Sequence, residues 1–168
     1  MRLCKIALLA SAGFFLLLVV FNNVFDYPSN YGFVQHVLSM DTLFSGEAQS
    51  WRAFRDPTPA DGSWWFHHAF YWSIIAWEAL ACVVILAGAW KLWRVRLAPA
   101  AVFNAAKGLG AAGLTVSMLQ WFVAFISVGG EWFLMWQSKS WNGQDAAFRM
   151  FACLGLMLIF LNQKDEES

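Results

Sequence analysis

The stretch from Ala106 to Glu131 constrains the chain most. Taking every third or fourth residue along it gives Ala106, Gly110, Gly113, Ser117, Gln120, Ala124, Ser127 and Glu131, a continuous stripe of small and polar side chains at helical spacing. The other faces carry Leu109, Leu114, Leu119, Trp121, Phe122, Val123 and Phe125. No charge falls between Lys107 and Glu131, and at about 1.5 Å rise per residue that run covers the roughly 30 Å hydrocarbon core of a bilayer. Lipid supplies no hydrophobic drive for helix association, so small residues that let backbones approach mark the face that meets other helices. The pattern predicts a membrane helix with one close-packing face.

Composition agrees. Of 168 residues, 60% are hydrophobic, 18% aromatic and only 13% charged, far too apolar for a soluble domain of this size. One integral membrane domain over residues 1–168 is expected, and zero formal net charge removes any basic-chain argument for nucleic acid. Cys4, Cys82 and Cys153 lie in apolar runs, so they imply no disulfide framework and read as small apolar filler.

Arg2 and Lys5 precede an uncharged run from Ile6 to Phe25, which reads as a signal peptide or a first transmembrane helix. No small-x-small cleavage pattern follows at the right place, which favours an uncleaved helix at about residues 4–22. A polar segment at about 23–68 comes next, in which Ser29 is expected to cap a short helix whose Phe33, Val34, Val37 and Leu38 share a face against the membrane surface. Asp56 to Gly62, with two prolines and a glycine, must turn before Trp64, Trp65 and Phe66 return the chain to the interface. Further helices are expected at about 69–91, 106–131 and 143–162, the last opened by Asn142 with Asp145 as a capping box. Arg2, Lys5, Lys91, Arg94, Arg96, Lys107 and Lys164 fall on one side of these spans, and Arg52, Arg55, Lys139 and Arg149 on the other. By the positive-inside rule the first set is cytoplasmic. The expected fold is an all-α membrane protein, a four-transmembrane-helix bundle with both termini cytoplasmic and a long, partly helical outer segment between helices 1 and 2. No internal repeat relates the two helix pairs.

Several stretches carry a resemblance. Phe21-Asn22-Asn23, Asp26-Tyr27, the run Phe33 to Thr42, His67-His68, Gly129 to Ser138, Trp141 to Gln144 and Phe148-Arg149 resemble the bacterial family of predicted small integral membrane proteins termed domain of unknown function 2165. The resemblance covers essentially the whole chain. It implies a bacterial inner-membrane, multi-pass protein, and brings no activity, ligand or catalytic residue to carry over.

The residues themselves offer a few constellations. His36, His67 and His68 all belong to the outer segment, near Asp41 and on the side of Glu131 and Arg149, and imidazole with carboxylate suits zinc, copper or iron. Against a metal site, adjacent His67 and His68 rarely reach one ion from a regular helix; interfacial histidines bonded to backbone or acidic loop residues fit better. Glu131 and Arg149 read as a structural pair between neighbouring helix ends. Glu78 is the only charge between Ala69 and Trp90, and both it and Gln120 lie about ten residues, roughly 15 Å, below the outer helix ends. They can meet there, and a neutral Glu donating to Gln is far cheaper than a bare charge. The pair reads as either a packing hydrogen bond or a proton-relay or ligand site.

No G-x-S-x-G, P-loop, H-E-x-x-H or Cys-x-x-Cys occurs, so hydrolase, nucleotide and thiol-redox chemistry have no footing, and no cofactor is expected. Most of the eleven tryptophans are placed as interface anchors, with Trp77 and Trp121 deeper. The expected role is a non-enzymatic accessory, assembly or envelope component, in contact with the lipid bilayer and with a protein partner or a second copy. A membrane metal-binding or redox protein using the outer histidines is one alternative. A small-solute or proton carrier using Glu78 and Gln120 is the other.

Overall fold

Residues 1–44, 50–54 and 63–166 are described in a computed structural model. The turn expected over Asp56 to Gly62, with Arg55, lies outside them. The order of elements is α1 (Arg2–Phe25), α2 (Tyr27–Ser39), α3 (Ser63–Arg94), α4 (Ala100–Ala106), α5 (Gly108–Gln120), a π-helix (Trp121–Trp132), a short 3-10 turn (Met135–Gln137) and α6 (Gln144–Asn162). Four helical runs are long and apolar enough to cross a membrane: Arg2–Phe25, Trp64–Arg94, Ala100–Trp132 and Gln144–Asn162. In each, a third or less of the most apolar window is buried within the protein. The apolar remainder therefore faces outward, as lipid-facing surface does.

Local chemistry sets the helix ends. α1 runs on through Asn22 and Asn23 because no proline interrupts it before Pro28. Asp26 breaks the path, its N–H bonding back to Asn22 O at 2.8 Å, and Pro28 then sits in the first turn of α2, where a missing N–H costs nothing. The helix expected to be capped by Ser29 thus begins earlier, at Tyr27. α2 ends at Met40, which takes a left-handed conformation (φ 53°) and turns its N–H back to His36 O and Val37 O. Before α6, Asn142 Oδ1 accepts from Gln144 N–H at 3.0 Å, while Gly143 occupies the cap position itself.

α1 packs on α3, α3 on α5, and α6 closes against α5, the π-helix and α1. The contact between α3 and α5 is made by backbone. A Cβ added to Gly88 would lie 2.6 Å from both Cα and N of Gly110, and one added to Gly113 would lie 2.8 Å from Ile85 N. Ala106, Gly110, Gly113, Ser117 and Gln120 are buried along this seam. Two expectations about the stripe are corrected. Leu114, placed on an outward face, is 1% exposed and belongs to the core around Ile85 and Phe103. Beyond Gln120 the inward positions are Trp121, Gly129 and Gly130, whereas Ala124 and Ser127 are half-buried and Glu131 is exposed. The cause is the change of helix type. Phe133 N–H reaches Val128 O at 2.9 Å, five residues back, and such wider turns rotate a three-to-four spacing off its face.

Both termini meet at one end, called here the terminal end; α2 covers the other. Lys5 and Lys107, 3% and 4% exposed, each place Nζ 2.6 Å from Asp165 Oδ2 and also donate to Gln163 O. Asn104 completes the clasp by donating to Asp165 O at 2.9 Å and accepting from Asp165 N–H at 3.1 Å. Burial pushes the Asp165 carboxyl up, but the hydrogen bonds and charges of Lys107 and Lys5 outweigh it and hold the group below the ordinary carboxylate range. A lowered folded pKa contributes stability above the unfolded value, about 3.9, and that stability is lost as pH falls through the lower folded value.

Two outcomes are expected of thermal unfolding in detergent. Gly88→Ala should lower stability by about 1 to 3 kcal/mol through overpacking, whereas Gly108→Ala, with nothing within 4 Å of its added Cβ, should be near neutral. Equal losses would mean that the α3–α5 seam is not what holds the helices. Asp165→Asn should destabilise at neutral pH, and its deficit relative to the parent should shrink on acidification below about pH 4. A deficit independent of pH would show that the clasp does not depend on the carboxylate charge.

Candidate functional site

The face shared by α1, α3 and α5 holds the buried polar groups of the interior. Glu78, on α3, is 2% exposed, and no lysine or arginine pairs with it among the described residues. Its partner comes from α1. Asn23 Nδ2 donates to Glu78 Oε2 at 2.6 Å, and Tyr71, two turns before Glu78 on α3, donates its hydroxyl toward Asn23 O at 3.1 Å and Asn23 Oδ1 at 3.3 Å. Gln120 is fully buried and its amide is a polar neighbour of the Glu78 carboxyl, yet neither Nε2 nor Oε1 makes a hydrogen bond of regular geometry. The structure brings Glu78 and Gln120 together, as their depth in the sequence suggests, and Asn23 joins them as the donor 2.6 Å from the carboxyl. One turn away, Ser117 Oγ is buried without a hydrogen-bond partner among the described residues.

Asn23 and Tyr71 also line a chamber of about 270 Å³ beneath α2. Val34 of α2, Ile74 of α3, Trp121 and Phe125 of the π-helix supply much of its apolar wall, and among the described residues no lysine, arginine, histidine, aspartate or glutamate lines it. A space so lined suits an uncharged, mainly apolar molecule better than an ion. The π-helix forms one side, and wide-turn segments of this kind recur at functional sites because they displace side chains that a regular helix would align.

Around the chamber the histidines are placed separately. His36 Nδ1 bonds to Asp41 at 2.8 Å and its ring stacks on Trp141 at 4.6 Å. His67 Nε2 donates to Phe54 O at 2.9 Å, and Ser39 Oγ donates to the same carbonyl at 3.1 Å, so residues 50–54 tie α2 to α3. His68 Nδ1 shares a 2.6 Å hydrogen bond with Tyr27 Oη, and its ring lies 4.3 Å from that of Tyr31. Burial raises the hydroxyl pKa of Tyr27, with the neighbouring Tyr31 adding to it, and burial alone raises that of Tyr31. Both therefore stay neutral at physiological pH. Among the described residues no three His, Cys, Asp or Glu side chains gather where one ion could bind them. The expected Glu131–Arg149 pair is not formed: Glu131 is exposed at the end of the π-helix, and Arg149 Nε donates to Asp145 O at 3.2 Å.

A family model of predicted small integral membrane proteins, DUF2165, matches residues 1–164. The chain belongs to this family. It is thereby an integral membrane protein whose apolar helices are transmembrane helices, in a family without an assigned activity. Comparison with curated proteins and with solved structures gives no match. In this DUF2165 protein the residues that pattern reasoning missed are Asn23, Tyr71 and the chamber wall. Asn23 reads as loop because polar residues cluster there, although Tyr71 could have been found from its seven-residue spacing to Glu78, which puts both on one helix face.

The network yields an ordered prediction for folding assays in detergent. Asn23→Ala leaves the buried carboxyl without its donor and should cost the most, about 1 to 3 kcal/mol. Glu78→Leu, which removes an interhelical hydrogen bond, should cost about 0.6 to 2 kcal/mol. Glu78→Gln can still accept from Asn23 and should behave like the parent. Glu78→Gln damaging the fold as much as Asn23→Ala would require Glu78 to be ionised.

Proposed function

We propose that this protein is a non-enzymatic accessory component of the bacterial inner membrane that holds a small uncharged apolar molecule. The chamber beneath α2 carries this reading: an apolar space with a polar corner at Asn23 and Tyr71 and no ionisable acid or base in its wall but the tyrosine hydroxyl. The engagement of each histidine with a different partner supports binding over metal or redox chemistry. The orientation of the four-helix bundle follows from charge. Arg2, Lys5, Lys91, Arg94, Arg96, Lys107 and Lys164 all lie toward the terminal end, which supports a cytoplasmic position for both termini and an outer-leaflet position for the chamber. The face of α2 turned away from the chamber is then free to meet a protein partner or a second copy.

One observation favours a carrier as the second reading. The hydrogen-bonded chain from Tyr71 through Asn23 to Glu78 leads from the chamber wall to an acid deep in the membrane interior.

Purification in mild detergent, followed by solvent extraction and mass spectrometry, tests the binding reading. The parent should retain an uncharged apolar molecule close to one per chain. Ala124→Phe and Val34→Phe, which fill the chamber from opposite walls, should each lose it. Retention of the same molecule by folded forms of both variants would remove the chamber as its site.

A further inference from the structure

The terminal end carries a second feature, on the opposite side of the membrane span from the chamber. A groove of about 950 Å³ runs between the start of α1, the connection from α3 to α4, and the chain after α6. Arg2, Arg96 and Lys164 line it with Leu3, Leu97 and Pro99. Two of the three cations are held in place. Arg2 Nη1 donates to Arg96 O at 3.0 Å and to Ala98 O at 2.6 Å, which fixes its guanidinium across the groove wall. Arg96 lies over the Trp93 ring at 4.1 Å and donates to Trp93 O at 2.9 Å. Each guanidinium keeps further N–H donors beyond these bonds.

Among the described residues the acids nearby do not cancel this charge. Asp165 lines the groove, but its carboxylate is bound by Lys5 and Lys107, which leaves Glu166 against three cations among those residues. Beside the cations, Leu97 is 89% exposed and Leu3 is 62% exposed. Such side chains next to fixed guanidinium groups, where membrane helices end, match a molecule with an anionic head and apolar tails. Guanidinium groups recognise phosphate oxygens by paired hydrogen bonds, and basic recesses between helix ends are where lipid headgroups seat.

We infer that this groove binds the phosphate headgroup of an anionic phospholipid, its acyl chains lying along Leu3 and Leu97. The site is independent of the chamber and of its occupant. It orders lipid at the end where the clasp gathers both termini.

Native mass spectrometry and thermal unfolding of the full chain in detergent, with phosphatidylglycerol, phosphatidylcholine or inorganic phosphate added, test the assignment. Phosphatidylglycerol should bind at least about tenfold tighter than phosphatidylcholine, since each fixed cation adds a several-fold preference. Arg96→Gln with Lys164→Gln should abolish that preference while leaving the lipid-free unfolding temperature close to that of the parent, because neither side chain belongs to the clasp. Arg2→Gln should also lose the preference but with a loss of stability, since Arg2 braces the α3–α4 connection. Equal binding of the two lipids, or a preference unchanged in the folded double variant, would overturn the site. Stabilisation by inorganic phosphate at the same concentration as by phosphatidylglycerol would overturn the lipid assignment in favour of a free anion.

Discussion

The closeness of α3 to α5 is the constraint on which the other features depend. In lipid, helices gain nothing from hiding apolar surface, so van der Waals contact and a few hydrogen bonds must hold them. Both weaken steeply with distance. Gly88 against Gly110, and Gly113 against Ile85, bring the two backbones together, and the Trp77 indole N–H then reaches Val116 O at 3.0 Å. The same separation sets Glu78 beside Gln120 in the layer above. On the other flank of α3, Cys82 Sγ reaches Gly13 O of α1 at 3.3 Å, so α3 is held from both sides at short range. A larger residue at the seam would act well beyond its own contact, because it would move the helix that carries both Glu78 and the chamber wall.

Much of this architecture was legible from period and polarity. The four apolar runs, the small-residue face up to Gln120 and the place of Glu78 within an apolar helix are local properties of the chain, and local patterns are what periodicity reads. The failures share a physical origin. Helix type is set by backbone hydrogen bonds rather than by side-chain pattern, so the passage from α5 to a π-helix turned Ser127 and Glu131 off the face that their spacing assigned and left Ala124 on the chamber wall. Asn23 reads as loop because it stands at the start of a polar segment. It lies inside the last turns of α1, where a polar side chain is tolerated since Glu78 and Tyr71 use it. Asp165 meets Lys5 across nearly the whole length of the chain, and no short-range signal marks such a partner.

The chamber belongs to the same class of feature, since α1, α2, α3 and the π-helix each contribute a wall and none forms it alone. Its shape follows from a mismatch. A regular helix continued from Gln120 would align Ala124 and Ser127 with the seam and bring the helix close to α3. The wider turns instead turn Trp121, Gly129 and Gly130 inward. Trp121 is too large to let the backbones meet as Gly110 and Gly88 do, and the space that opens is roofed by Val34, Val37 and Leu38 of α2.

The two ends of the molecule therefore answer the same problem, polar groups in an apolar medium, in opposite ways. At the terminal end charges are brought together, and the Asp165 carboxylate satisfies two buried lysines at once, an arrangement that tolerates little movement because parting them would strand charge away from water. At the α2 end the polar side chains that face the chamber are neutral, the amides of Asn23 and Asn30 and the phenol of Tyr71. Displacing one neutral hydrogen bond costs far less than separating a buried ion pair, so motion is cheapest where the chamber lies. α2 is joined to the rest by Asp26 at one end and, through Leu38 and Ser39, by the backbone of Phe54 at the other. α2 is thus held over the apolar space by neutral hydrogen bonds and by the packing of Val34, Val37 and Leu38, whereas the far end of the helices is held by charge.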